Sequence, residues 1–155
     1  MSSEAYDSGP FGVIRYGRDE MVQHEHELAD GATVEPGMLL ERVDEGGDIK
    51  VQPHSTEGEA SDYVAIEARG RGMNALDGEY DGYDEYVRYV KVSGGGLNAR
   101  LAAGEDAGIS DGLTSNGDGY LKVEAGDGSE EAALEAASAV DNSAGADAVF
   151  IPTEA

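Results

Sequence analysis

The sequence predicts a mainly β chain: a compact, small β-barrel-like domain with little helix, led by an extended N-terminal arm. Three observations predict it. The 23 glycines stand mostly beside Asp, Asn or Ser and punctuate the chain into segments suited to short strands rather than long helices. Two stretches repeat one hairpin design. In each, a β-branched residue three before a glycine (Val34 and Gly37, Ile109 and Gly112) is followed by Leu (Leu39, Leu113). A Gly-Asp turn (Gly47-Asp48, Gly117-Asp118) and a short strand ending in Lys-Val (Lys50-Val51, Lys122-Val123) then complete the unit. Finally, the segment before the first repeat differs in character from everything after it.

Residues 1–23 read as the arm and 24–155 as the β-rich domain. Within the arm, Phe11-Gly12-Val13-Ile14-Arg15-Tyr16-Gly17-Arg18 carries two arginines and no acid, and Ser8-Gly9-Pro10 precedes it. Such a segment either adds a strand to a partner's sheet edge or folds back as an ordinary first strand of its own sheet. In the first case Phe11, Val13, Ile14 and Tyr16 are apolar anchors, while Arg15 and Arg18 pair with carboxylates on the partner.

Candidate strands then follow at 34–42, 49–52, 63–68, 86–92, 99–102, 121–124 and 146–151. At 63–68, Tyr63, Ala65 and Glu67 alternate with Val64, Ile66 and Ala68, the pattern of a half-buried strand with its aliphatic residues on one face. The segment 129–139 has two readings. Ser129-Glu130-Glu131 before an alanine-rich run is a helix-start signature, whereas alternation and the surrounding strands favour a strand, or a strand with one helical turn. The chain contains no Trp and only two Phe, Phe11 and Phe150, so Val, Leu, Ile, Ala and eight Tyr must fill the core. One domain of this length buries about two-thirds of its unfolded surface.

Charge narrows the function. Thirty-three acids against ten bases leave a formal net charge of −23, and only Lys50, Lys91 and Lys122 are lysines. Self-repulsion of that size opposes compaction unless counterions screen it. A disordered acidic chain has a similar composition, but the recurring β-runs favour a folded, acid-coated surface adapted to high salt. Nucleic acid and anionic membranes would be repelled, and no basic patch interleaved with aromatics offsets this. With no cysteine there is neither a disulfide framework nor a thiolate metal site. Met1-Ser2-Ser3-Glu4-Ala5 lacks the basic and apolar regions of a signal peptide, so the expectation is a protein made and used without export.

Catalytic and metal motifs are thin, and no catalytic residue, metal or cofactor is assigned. Gly108-Ile109-Ser110-Asp111-Gly112 has G-x-S-x-G spacing but lacks the preceding strand and following helix of a nucleophile elbow. His24, His26 and the more distant His54 form at best an incomplete ligand set. Asp77, Glu79, Asp81 and Asp84 are dense enough to attract a hard cation, yet their spacing fails the EF-hand loop and fits a solvated turn. Tyr80, Tyr83, Tyr86 and Tyr89 recur every third residue, some as core, with a sugar-binding shelf as the lesser reading.

A longer run of features resembles a family. It begins with Gly31-Ala32-Thr33-Val34-Glu35-Pro36-Gly37-Met38-Leu39-Leu40-Glu41, Val64-Ala65-Ile66-Glu67 and Asp81-Gly82-Tyr83-Asp84-Glu85-Tyr86-Val87-Arg88. It continues through Gly95-Gly96-Leu97-Asn98-Ala99-Arg100-Leu101-Ala102-Ala103-Gly104, Gly112-Leu113-Thr114-Ser115 and Gly117-Asp118-Gly119-Tyr120-Leu121. Together these resemble the head-decoration, or cement, proteins of tailed viruses related to the phage lambda decoration protein. With such acidity, the resemblance implies a form from a virus of halophilic archaea.

The resemblance further implies a β-tulip domain, made in the host cytoplasm, that sits as homotrimers on the outer capsid surface and stabilises the head. It implies that the arm contacts the major capsid protein, and it supplies no catalytic residues. The long acidic lead, residues 1–23, and the Tyr-rich turn depart from the family. Two other classes remain open. A carbohydrate-binding β-module would use the tyrosines. A lipoyl- or biotinyl-type carrier barrel would need an acceptor lysine, but Lys50 and Lys122 are each followed by Val rather than flanked by Met.

Overall fold

The first repeat forms a two-residue hairpin because Gly46 and Gly47 both take positive φ (66° and 95°), as a type I′ turn requires. That turn joins β3 (Leu39–Glu45) to β4 (Asp48–Pro53) with Glu45 opposite Asp48. The second repeat is also an antiparallel hairpin, β9 (Gly112–Ser115) with β10 (Leu121–Val123), closed by a longer loop in which Gly117 and Gly119 have positive φ. The two hairpins lie in different sheets. Their leading residues diverge as well: Val34 is fully buried and bridges Tyr80, whereas Ile109 is 69% exposed.

The computed structural model describes residues 11–82 and 86–155. The remaining strands are β1 (Ile14–Tyr16), β2 (Val22–Leu28), β5 (Tyr63–Ala65), β6 (Tyr86–Lys91), β7 (Gly96–Leu101), β8 (Asp106–Ala107), β11 (Leu134–Ala136), β12 (Val140–Asp141) and β13 (Val149–Glu154). Helix among the described residues is limited to two 3-10 turns, Arg18–Glu20 and Arg69–Arg71. The mainly β expectation therefore holds, and the ambiguous segment 129–139 contains strand β11. Strand β3 starts later than expected because Pro36 has no N–H to donate and Gly37 turns the backbone at φ 93°.

Strands β2-β4-β3-β5-β6 close into a barrel. A second ring closes through the pairings of β7 with β10, β10 with β9, β9 with β11, β11 with β13 and β13 with β7, and β1 adds antiparallel to β7. The cores are correspondingly two. Leu28, Leu40, Val51, Ala65, Tyr80, Val87 and Tyr89 fill the first barrel. Leu97, Ala99, Leu101, Leu113, Leu121, Leu134 and Ile151 form the second core together with Leu39, Val64 and Val90 from the outer wall of the first.

Strands β3, β5 and β6 are therefore sandwiched between two cores, and this changes one expectation. Tyr63, Ala65 and Glu67 do not form a solvent face: Ala65 is fully buried and Glu67 is 5% exposed, because the side opposite Val64 and Ile66 packs inside the first barrel or under β1. The barrels are further tied by Arg100, whose Nε and Nη2 donate to the carbonyls of Pro36 and Ala75 while its guanidinium lies 4.3 Å from the Phe150 ring centroid. His54 adds a buried hydrogen bond between its Nδ1 and Ser115 Oγ at 2.8 Å.

Candidate functional site

The segment 11–18 lies on the second sheet. Val13 is fully buried, its N–H donates to Glu67 Oε1 at 3.0 Å, and its carbonyl accepts the Asn98 N–H at 2.7 Å. Phe11 packs edge-on against Phe150, with ring centroids 4.8 Å apart, and Ile14 pairs with Leu97. Of the two readings of this segment, the structure has the first strand folded back on its own sheet. The physical reason is that Phe11, Val13 and Ile14 find apolar partners on β7 and β13, so these anchors serve the domain's own core. The boundary between residues 23 and 24 falls inside β2, and residues 1–10 lie outside the described residues.

Arg15, Tyr16 and Arg18 stay at the surface. Arg15 Nη1 donates to the Thr153 carbonyl at 3.1 Å and its guanidinium sits 5.6 Å from the Tyr16 ring centroid. The Tyr16 hydroxyl donates to Glu154, which raises its pKa above the ordinary phenol value. The outcome is a small cationic and aromatic ledge formed by β1 and the 3-10 turn that follows it.

A second cluster occupies one end of the first barrel. In paired strands, residues directly opposite share a face. His24 stands opposite Tyr89, His26 opposite Val87, Tyr63 opposite Leu40, and Arg42 opposite Val51. The inward side is thus apolar through Leu40, Val51 and Val87 and polar towards the mouth through His24, His26, Tyr63, Tyr89 and Arg42. Tyr89 OH accepts Arg42 Nε–H at 2.9 Å and lies 2.6 Å from His26 Nδ1. All three groups are satisfied if the hydroxyl donates to Nδ1, leaving His26 neutral with its proton on Nε2. Burial, then the Arg42 charge, lower the pKa of both histidines.

The other motifs do not assemble into chemistry. Ser110 lies exposed at φ 70° in the turn between β8 and β9, with no strand-to-helix elbow around it. His54 binds Ser115 rather than joining His24 and His26, and no group of three or more potential metal ligands occurs among the described residues. Tyr80 is buried, donates to the Ile66 carbonyl at 2.7 Å and has its pKa pushed up to about 12 by burial, so it is core. Tyr83 and Asp84 lie outside the described residues. The barrel-mouth cluster itself was only half legible in sequence. His24 and His26 stood out as possible ligands but lay outside the candidate strands, and nothing in the chain's spacing linked them to Arg42 or Tyr63.

No protein-family model matches the chain, and no curated protein matches it. The fold has a solved counterpart. The crystal structure of the head fiber gp8.5 N base in bacteriophage phi29 aligns with a TM-score of 0.57 at 15% identity, covering 86% of this chain and 92% of that one. At that identity the likeness is one of fold.

Proposed function

We propose that this protein is a structural component of a virus head. The observation that carries the reading is the fold likeness to a phage head fiber base over nearly the full length of both chains. The sequence resemblance to lambda-type decoration proteins points to the same place on the particle, although it names a different kind of head protein. Attachment to the outside of an icosahedral capsid, contact with the major capsid protein, trimers at threefold positions, stabilisation of the head and origin in a tailed virus of halophilic archaea are the finer parts of the proposal. In it, Arg15, Tyr16 and Arg18 meet the capsid protein, while Phe11, Val13 and Ile14 hold the strand that presents them.

A closed pair of barrels suits a rigid peg that adds modest contacts around a capsomer junction. The test is mass spectrometry and cryo-EM of heads purified from the virus that encodes the chain. The expected result is this protein in the virion, with threefold density matching the two-barrel fold. Its absence from heads would overturn the reading, and density at isolated, non-threefold positions would overturn the trimer.

A further inference from the structure

The protein's acids neutralise several of its bases. Lys50 pairs with Glu27 and Glu45, Lys122 with Glu57 and Glu130, Arg69 with Glu67 and Arg100 with Glu35. Among the described residues Arg15, Arg18, Arg42, Arg71, Arg88 and Lys91 form no ion pair, and of these Arg42 and Lys91 share the inward-facing side at one end of the first barrel. Both are exposed, so this end of the barrel presents two cations to solvent in a chain with 33 acids.

The geometry there is specific. The Arg42 guanidinium lies over Tyr63, 4.6 Å from its centroid, and 5.7 Å from that of Tyr89, and its Nε is committed to the Tyr89 hydroxyl. Stacking and that hydrogen bond orient the group, and its two Nη atoms have no hydrogen-bond partner among the described residues, leaving the planar fork that receives a carboxylate through two parallel bonds. His24 makes no hydrogen bond to a described residue, and its ring stacks on Tyr89 at 5.3 Å. Lys91 is exposed and shares this face of the barrel through its position opposite Val22 and Tyr63. Asp44, the next inward position along β3, accepts the Gly47 N–H through its Oδ1 at 2.8 Å. The rim is apolar, with Val22 56% and Ile49 49% exposed.

We propose that the open end of the first barrel is a binding site for a carboxylate carried by another protein chain, received by the Arg42 fork with His24 and Lys91 beside it. A side-chain carboxylate suits the site better than a free hydrated anion, because the aromatic wall and the Val22 and Ile49 rim would cover the aliphatic stem of Asp or Glu. The site is independent of whether the partner is a capsid protein.

The test uses the whole protein at constant high ionic strength, titrated with N-acetyl-glutamate-N-methylamide and, as the control, its glutamine counterpart. Imidazole 1H–15N NMR resonances of His24 and His26 are the readout. Saturable shifts with the Glu compound, none with the Gln compound, and a rise in the His24 titration midpoint on binding are expected. Arg42→Gln is expected to weaken binding at least about tenfold, the loss of a charge-assisted bidentate contact. Lys91→Gln, at an exposed position that leaves the barrel intact, is expected to weaken it by a smaller factor. Equal responses to Glu and Gln compounds, a folded Arg42→Gln variant with unchanged affinity, or no saturable shift would each overturn the site.

Discussion

The N–H of Val13 donates to the carboxylate of Glu67 at 3.0 Å, 54 residues away in sequence, and both residues are buried. This bond fastens the amino-terminal strand across the junction between the two barrels. Arg69 Nη2, 3.5 Å from Glu67 Oε2, supplies the compensating charge. Replacing Glu67 by Ala leaves a buried N–H without its acceptor, which costs about 1–3 kcal/mol. The expected outcome is a lowered denaturation midpoint with faster amide exchange at residues 13–16 than in the second core. Exchange that stays slow at β1 would show that β7 alone holds the strand.

Truncations separate the strand from the lead that precedes it. Removing residues 1–10 leaves every contact between described residues in place, and thermal stability is expected to stay within about 0.5 kcal/mol of the full chain. Removing residues 1–18 also takes Val13 out of the core, and burial of one such side chain contributes about 1.5–3 kcal/mol. Capsid attachment is better probed by Arg15→Ala with Arg18→Ala, which spares the core. That pair is expected to keep the melting temperature and lose binding to heads in sedimentation, and unchanged binding would exclude the β1 ledge.

Acid acts on the barrel mouth through His24 and His26. Both have pKa values below 6.5 in the folded protein, first through burial and then through the Arg42 charge. Below pH 6.5 the unfolded chain therefore binds more protons than the native one. The contribution of these histidines is fully present above about pH 6.5 and is lost as pH falls through the lowered native values. Arg42, Lys91, Asp44, Tyr63 and Tyr89 face the pair from β3, β5 and β6. Unfolding free energy measured against pH for the wild type and for His24→Gln with His26→Gln is expected to show a shallower acid slope in the double variant. Parallel curves would remove the histidines from the account.

Salt dependence follows from the net charge of −23. The screening length is about 3 Å at 1 M and about 30 Å at 0.01 M, so dilute buffer lets carboxylates repel across the whole domain. Circular dichroism and sedimentation of heads across a NaCl series are expected to show release before or together with unfolding as salt is withdrawn. EDTA at constant high salt is expected to have little effect, since no cluster of metal ligands occurs among the described residues. A protein fully folded and still bound at low ionic strength would contradict the halophilic reading.

Gly37 is a geometric pin between the barrels. At φ 93° it would place a Cβ 2.9 Å from the Phe150 ring and 3.1 Å from the Asn98 carbonyl oxygen. Gly37→Ala is therefore expected to destabilise by at least about 1–2 kcal/mol from the left-handed conformation alone, read as a shifted urea midpoint. Gly31→Ala is the control, because it shares a positive φ but has nothing within 4 Å of the new Cβ.

The sequence by itself determined the mainly β class, though not strand β2, along with the two hairpins around Gly46-Gly47 and Gly117 to Gly119 and the acid-coated surface. These follow from local causes: turn residues that tolerate positive φ, β-branched runs, and a charge count. Tertiary structure alone decided which faces are buried. Period-two alternation reveals a strand with one buried face, but β5 lies between two cores, so Val64 and Ala65 are both buried and Glu67 is drawn inside as the acceptor for Val13. Closure also turned His24 and His26 of the polar strand β2 inward to meet Arg42 and Tyr89, a meeting set by strand register across residues far apart in the chain. The same long-range pairing made residues 14–16 the edge of the protein's own sheet, because Leu97 and Thr153 supply partners that no local pattern around Phe11 announces.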